Sequence, residues 1–162
     1  LDDLTTTLLS IKYGRDRTPD WSPDGKEIIF SSEREGNAQI WVMAADGTNQ
    51  VKFSKSPDMI NVKPSWSPDK SLVLFTQLLA IKGVPRLRYA SYTDTYQEYG
   101  LQVYLSPIRD AQFSPDGYWV VYEGWPEGSN HDIFIMANNG GGRTVLAQDV
   151  AVDFDPTWKP VP

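Results

Sequence analysis

Apolar residues along this chain fall in short runs rather than at helical spacing. Glu27-Ile28-Ile29-Phe30, Leu72-Val73-Leu74-Phe75 and Tyr118-Trp119-Val120-Val121-Tyr122 are nearly continuous. Runs of this length with little alternation predict strands covered on both faces. A second set reads Ile40-Trp41-Val42-Met43-Ala44 and Ile133-Phe134-Ile135-Met136-Ala137, with Leu87-Arg88-Tyr89-Ala90-Ser91-Tyr92 as a weaker middle copy. Asp46-Gly47 and Asn139-Gly140 then mark tight hairpins. Short strands are expected after them near Val51–Phe53, Gln102–Leu105 and Thr144–Ala147. No long 3.6-residue period is present, so almost no helix is expected.

Ahead of each first run stands a repeated motif. It reads Trp21-Ser22-Pro23-Asp24-Gly25, Trp66-Ser67-Pro68-Asp69-Lys70 and Phe113-Ser114-Pro115-Asp116-Gly117, with a decayed copy at Trp158-Lys159-Pro160. The intervals are 45, 47 and 45 residues. Proline presets φ in such a turn, aspartate bonds nearby backbone, and glycine takes the left-handed conformation. Lys70 replaces that glycine in the second copy, which predicts a strained turn or one of another type. Each motif is entered by a strand: Thr18–Trp21, Lys63–Trp66 and Asp110–Phe113. Four short strands per ~45 residues predict a β-propeller blade. A blade cannot bury both faces alone, so Trp21, Trp66 and Phe113 read as blade-to-blade packing residues.

The ends of the chain duplicate one another. Thr7-Leu8-Leu9 precedes Trp21 by the same distance as Thr144-Val145-Leu146 precedes Trp158. Asp16 matches Asp153, and Pro19 matches Pro156. The expected fold is therefore all-β, with three complete four-stranded antiparallel blades plus stray end strands. Units run at about 15–58, 59–106 and 107–150, with 1–14 a leading last strand and 151–162 a trailing first strand. Three blades should not close a ring, since propellers typically have 4–8. The chain reads as a stretch of a larger propeller or as half of a six-bladed ring of two copies. Large apolar blade faces are expected at both ends.

At these residues the chain resembles the WD40-like propeller repeat of the TolB kind. The pattern of that family is met by Asp16 to Trp21, Ser22 to Gly25, Ile28 to Ser32, Ile40 to Met43 and Asp46-Gly47. The resemblance is strong in the first and third copies and loose from about Leu78 to Pro107. It implies a ring with a central channel and exposed loops. The family includes periplasmic envelope proteins, non-catalytic propellers of prolyl-oligopeptidase-like enzymes, and a few propeller lyases. It implies a periplasmic or extracellular setting.

Composition adds limits. The 162 residues carry a net charge of −6 and a pI near 4.7, which offers no electrostatic footprint for nucleic acid. No apolar run approaches the ~20 residues that span a bilayer. There is no cysteine, so disulfides and thiolate chemistry are excluded. His131 stands alone, which excludes a multi-histidine metal site within these residues. Lyases of the related kind use several histidines around a metal, and this chain departs from them. No Gly-x-Ser-x-Gly elbow, His-Glu-x-x-His pair or phosphate loop appears. Asn138-Asn139-Gly140-Gly141-Gly142 reads as a hairpin turn. No catalytic residue and no cofactor is expected.

What chemistry is left lies in two sets of residues. Asp16, Asn61 and Asp153 occupy one repeat position, where the third unit has Ile108 and, two residues on, Asp110. Near a channel mouth they form a candidate ring of oxygens for a cation or basic group, or they bond backbone N–H groups in the links between blades. Leu78, Leu79 and Ile81 extend past their strand, and Trp125 lies in a loop. These apolar residues are candidate partner contacts. The reading is a non-catalytic scaffold for protein or peptide. The alternatives are the propeller of a larger hydrolase, or small-ligand or cation binding at the channel mouth. Expected partners are protein or peptide, further blades or a second copy, without nucleic acid or membrane insertion.

Overall fold

The computed structural model describes residues 6–10, 14–79, 83–92, 97–101, 107–126, 130–147 and 151–159. These residues hold twelve strands and no helix. The first sheet is β1 (Asp16–Trp21), β2 (Glu27–Ser32), β3 (Gln39–Ala44) and β4 (Val51–Lys52). The second is β5 (Met59–Trp66), β6 (Leu72–Leu79), β7 (Arg86–Ser91) and β8 (Glu98–Gly100). The third is β9 (Ile108–Phe113), β10 (Trp119–Gly124), β11 (Asp132–Ala137) and β12 (Thr144–Ala147). Each is an antiparallel meander with strands in sequence order. The molecule is a partial propeller of three blades.

The motif makes the turn between the first two strands of each blade, and its serine does as much as its proline. Ser22 Oγ donates to Asp24 Oδ1 at 2.7 Å and accepts from the Glu27 N–H at 2.9 Å. Ser67 and Ser114 repeat both bonds. These bonds hold the carboxyls of Asp24, Asp69 and Asp116 below the usual range, the serine hydroxyl being the largest cause. Lys70 adopts φ 62°, beside 67° and 75° at Gly25 and Gly117. The turn is thus of the same type in all three copies. Its lysine carries left-handed strain of the order of 1 kcal/mol. It is held there by Asp24 at 2.9 Å and Glu27 at 2.7 Å, both on the neighbouring blade.

Blades stack through two apolar layers. Ile29, Ile40 and Val42 of the first blade meet Trp66, Val73 and Phe75 of the second. Leu74 and Leu87 of the second meet Phe113, Val120 and Tyr122 of the third. Trp66 and Phe113 are therefore buried between blades, as the repeat predicts. Trp21 is not: it is 56% exposed, because no blade among the described residues covers that face of the first sheet. The opposite end is open too, with Trp119, Val145 and Leu146 exposed.

Two expectations are corrected, and a third falls outside the described residues. Leu78 and Leu79 do not lie beyond their strand; β6 continues through them, paired to Ile60 and Met59. Ile81 lies outside the described residues. The middle unit's fourth strand is Glu98–Gly100, where Tyr99 stacks on Tyr89 at 5.2 Å; Gln102–Leu105 lies outside the described residues. Residues 6–10 and 151–159 form no strand. A strand needs a ladder, and among the described residues no strand-to-strand register includes these segments.

The end segments nevertheless sit where the repeat puts them. Leu9 packs against Ile28, Phe30, Trp41 and Met43, and its carbonyl accepts from Gln50 Nε2 at 2.9 Å. The Asp153 N–H donates to the His131 carbonyl at 2.9 Å. Asn61 to Ala38 (2.8 Å) and Ile108 to Pro85 (3.2 Å) are the same inter-blade bond in the earlier units.

Candidate binding cleft at the channel mouth

The innermost strand of each blade carries a bulge. Pairing slips between Arg17 and Asp20, between Val62 and Ser65, and opposite Val121 and Glu123. At each slip one non-glycine residue turns left-handed: Thr18 at 49°, Lys63 at 55° and Asp110 at 54°. Asp155, three residues before Trp158, repeats the conformation at 51°. A bulge bends its strand and re-aims a side chain. Here it turns four repeat-equivalent residues onto one wall, and they line a single cavity of about 200 Å³. Lys63 Nζ reaches Asp110 Oδ2 at 2.8 Å and Asp155 Oδ1 at 3.0 Å.

Adjoining this wall is a larger cleft of about 540 Å³ between the second and third blades. It opens at the end of the propeller where β5 and β9 begin and where β6 and β10 finish. Val62, Arg109 and Phe154 line it from one repeat position, and Leu78 and Trp125 from another. Two of the apolar residues singled out from sequence thus converge, although 47 positions separate them. Leu79 is 55% exposed just outside.

Trp125 is held from both sides. His131 stacks on it with centroids 4.3 Å apart and planes 7° from parallel. The Arg109 guanidinium lies 5.2 Å from its ring centre. Beneath both sits Glu123, fully buried, which accepts from Arg109 Nη2 at 2.8 Å and is also in contact with His131 Nδ1. The hydrogen bond that Arg109 donates to Glu123 raises the Arg109 pKa. At Lys63, burial works downward, but Asp110 and Asp155 outweigh it and the pKa rises. Burial pushes the Asp110 carboxyl up against the pull of Lys63.

Two of the three oxygen-bearing candidates, Asp16 and Asn61, have side-chain partners within the blades. Asp16 binds Arg34 Nη2 at 3.0 Å and accepts from Ser10. Asn61 is fully buried, donating to Gln39 Oε1 and accepting from Gln77 Nε2, both at 3.0 Å. Asp153 is tied through its backbone to His131. Asp16 Oδ1 and Asp153 Oδ2 are buried and accept no hydrogen bond among the described residues. Among the described residues, no three His, Asp or Glu side chains converge as metal ligands. Lys63, Arg109 and Glu123 escaped the sequence reading. For Lys63 the one signal was a polar residue recurring three positions before each motif aromatic, as Thr18, Lys63, Asp110 and Asp155; Arg109 and Glu123 had none.

The model of the TolB beta propeller domain matches residues 1–87. The "Uncharacterized peptidase YuxL" of Bacillus subtilis is 29% identical over 75% of this chain and 24% of its own length. The "Tol-Pal system protein TolB" of Anaeromyxobacter dehalogenans is 29% identical over 76% of this chain and 27% of its own. This chain thus spans about a quarter of these relatives. The solved putative TolB of Agrobacterium tumefaciens superimposes with a TM-score of 0.74 at 18% identity, over 86% of this chain and 51% of that one. No helix among the described residues is long and apolar enough to cross a membrane.

Proposed function

This chain belongs to the TolB β-propeller domain family, and we propose that it is a non-catalytic scaffold binding a protein or peptide at the channel mouth. The observation that carries this is the meeting of Leu78, Trp125 and Phe154 in one cleft of about 540 Å³. Apolar anchors gathered in a concave site beside convergent polar groups are the usual seat for a partner's side chain. A periplasmic or extracellular setting goes with this role. Selection of a phage-displayed heptapeptide library on the immobilised chain tests it. Enriched peptides should lose binding to Trp125→Ala and to Leu78→Ser. Peptides indifferent to both changes, or no enrichment, overturn the reading.

A second reading is favoured by the similarity to a peptidase: the propeller of a larger hydrolase. A nucleophile-bearing domain in the adjoining coding sequence decides for it.

A further partner of this scaffold is another blade. Val121, Ile133 and Ile135 stand at the repeat positions of Ile29, Ile40 and Val42, which the next blade buries. Residues 151–159 already hold the inter-blade hydrogen bond and the left-handed residue of an entering strand. This favours blades continuing beyond that segment over a second copy, whose β1 would compete for its place. Light scattering on the 162-residue chain should report association through the open faces. A stable monomer at about 100 μM sinks both versions.

A further inference from the structure

The cleft's rim is apolar, but its floor is polar and short of donors. The Asp110 side chain is only 9% exposed, and its Oδ1 accepts no hydrogen bond from the described residues. Thr76, 3% exposed and lining the same cleft, has an Oγ1 without a partner among the described residues. Buried polar atoms are normally satisfied, so two beside one opening call for a ligand or water. Charge points the same way. Three carboxylates, Asp110, Asp155 and the underlying Glu123, face two cations, Lys63 and Arg109. Both cations are already engaged: Arg109 by Glu123, Lys63 by the two aspartates. Lys63 is itself an internal example of the group these aspartates hold. The Asp155 side chain is 65% exposed and open to a second donor.

We propose that the cleft takes an extended peptide carrying an aromatic or branched aliphatic side chain next to a lysine or arginine. The apolar side chain lies against Leu78, Trp125 and Phe154, and the cation lies toward Asp110 and Asp155. This deepens the peptide-binding reading and rests on it. An acidic neighbour meets the excess of carboxylates and is disfavoured, an effect that salt weakens.

Fluorescein-labelled acetyl-Ala-Phe-Arg-Ala-amide tests the proposal, alongside versions with Arg replaced by Gln or Glu and with Phe replaced by Ala. Anisotropy titration at low salt gives the affinities. The Arg peptide should bind at least about tenfold tighter than the Glu peptide, with Gln between. Asp110→Asn, which keeps the shape of the side chain, should bring that ratio within about threefold while preference for Phe persists. Asp155→Asn, at an exposed side chain that does not threaten folding, should act in the same direction. If all three charge versions bind alike and Phe still matters, the charge assignment falls and peptide binding stands. Glu binding as tightly as Arg or tighter, or a ratio unmoved by both variants, also overturns the assignment. If no peptide binds the unaltered protein, both readings fall.

Discussion

Replacing Trp66 by alanine should cost about 4 kcal/mol, whereas the same change at Trp21 should cost less than about 1 kcal/mol. The two residues open the same motif and begin the same turn. Their surroundings differ. Trp66 is 5% exposed, within the layer formed by Ile29, Val42, Val73 and Phe75. It meets Tyr92 edge-on at 4.5 Å. Trp21 is more than half exposed. Truncating a buried tryptophan loses its transfer energy and leaves a cavity; truncating an exposed one loses little of either. In thermal melts the Trp66 variant should fall by roughly 8–16 °C, at 2–4 °C per kcal/mol for a chain of this size. Trp66→Phe gives a further check. The indole Nε1 makes no hydrogen bond among the described residues, so phenylalanine gives up packing area without orphaning a partner. Equal losses at Trp21 and Trp66 would contradict the placement of the blades.

The second large effect is polar. Asn61→Leu should destabilise the protein by about 2–4 kcal/mol in urea unfolding, although the new side chain is similar in size. Asn61 is fully buried and joins two blades. On one side Gln39 also accepts from Ser54 Oγ at 2.6 Å and donates to the Met59 carbonyl at 2.7 Å. On the other, Gln77 also donates to Glu98 Oε1 at 2.8 Å and accepts from Arg88 Nε at 2.9 Å. Leucine removes one bond from each glutamine and leaves both amides in an interior that cannot hydrate them. Asn61→Asp has a separate signature. At neutral pH it sets a buried carboxylate against the Gln39 oxygen, and burial raises the pKa of such a group. A carboxyl with a raised folded pKa costs stability above its unfolded pKa near 3.9. That cost fades as pH falls through the folded value, when the protonated group donates to Gln39. The aspartate variant should therefore recover on acidification toward about pH 4, and the leucine variant should not.

This polar bridge accounts for a residue that sequence placed in a candidate oxygen ring. Asn61 shares its repeat position with Asp16 and Asp153, and the shared position was legible. Its partners were not. Gln39 lies 22 residues away and Gln77 16, in strands whose register decides which side chains meet. Arg34 likewise claims Asp16 from across its own blade. The cleft was half legible for the same reason. Leu78 stood out as apolar in the divergent middle unit and Trp125 as apolar in a loop, yet nothing local tied them together. Lys63 looked like an ordinary strand-entry residue, because a left-handed bulge at a lysine has no local signature.

The amino-acid sequence by itself determined the repeat unit, the four-strand blade and the turn at each Ser-Pro-Asp. These follow from interactions within a few residues: fixed φ at proline, a serine and an aspartate bonding adjacent backbone, and apolar runs of strand length. The left-handed turn conformation holds even where lysine replaces glycine. The bulge conformation recurs at Asp155, where no strand forms. Only the tertiary structure decided which motif aromatics are buried and which repeat positions face one another. Residues one repeat apart, such as Lys63 with Asp110 or Leu78 with Trp125, become neighbours only when blades stack. Stacking is driven by apolar area, which is indifferent to the few polar groups it happens to enclose.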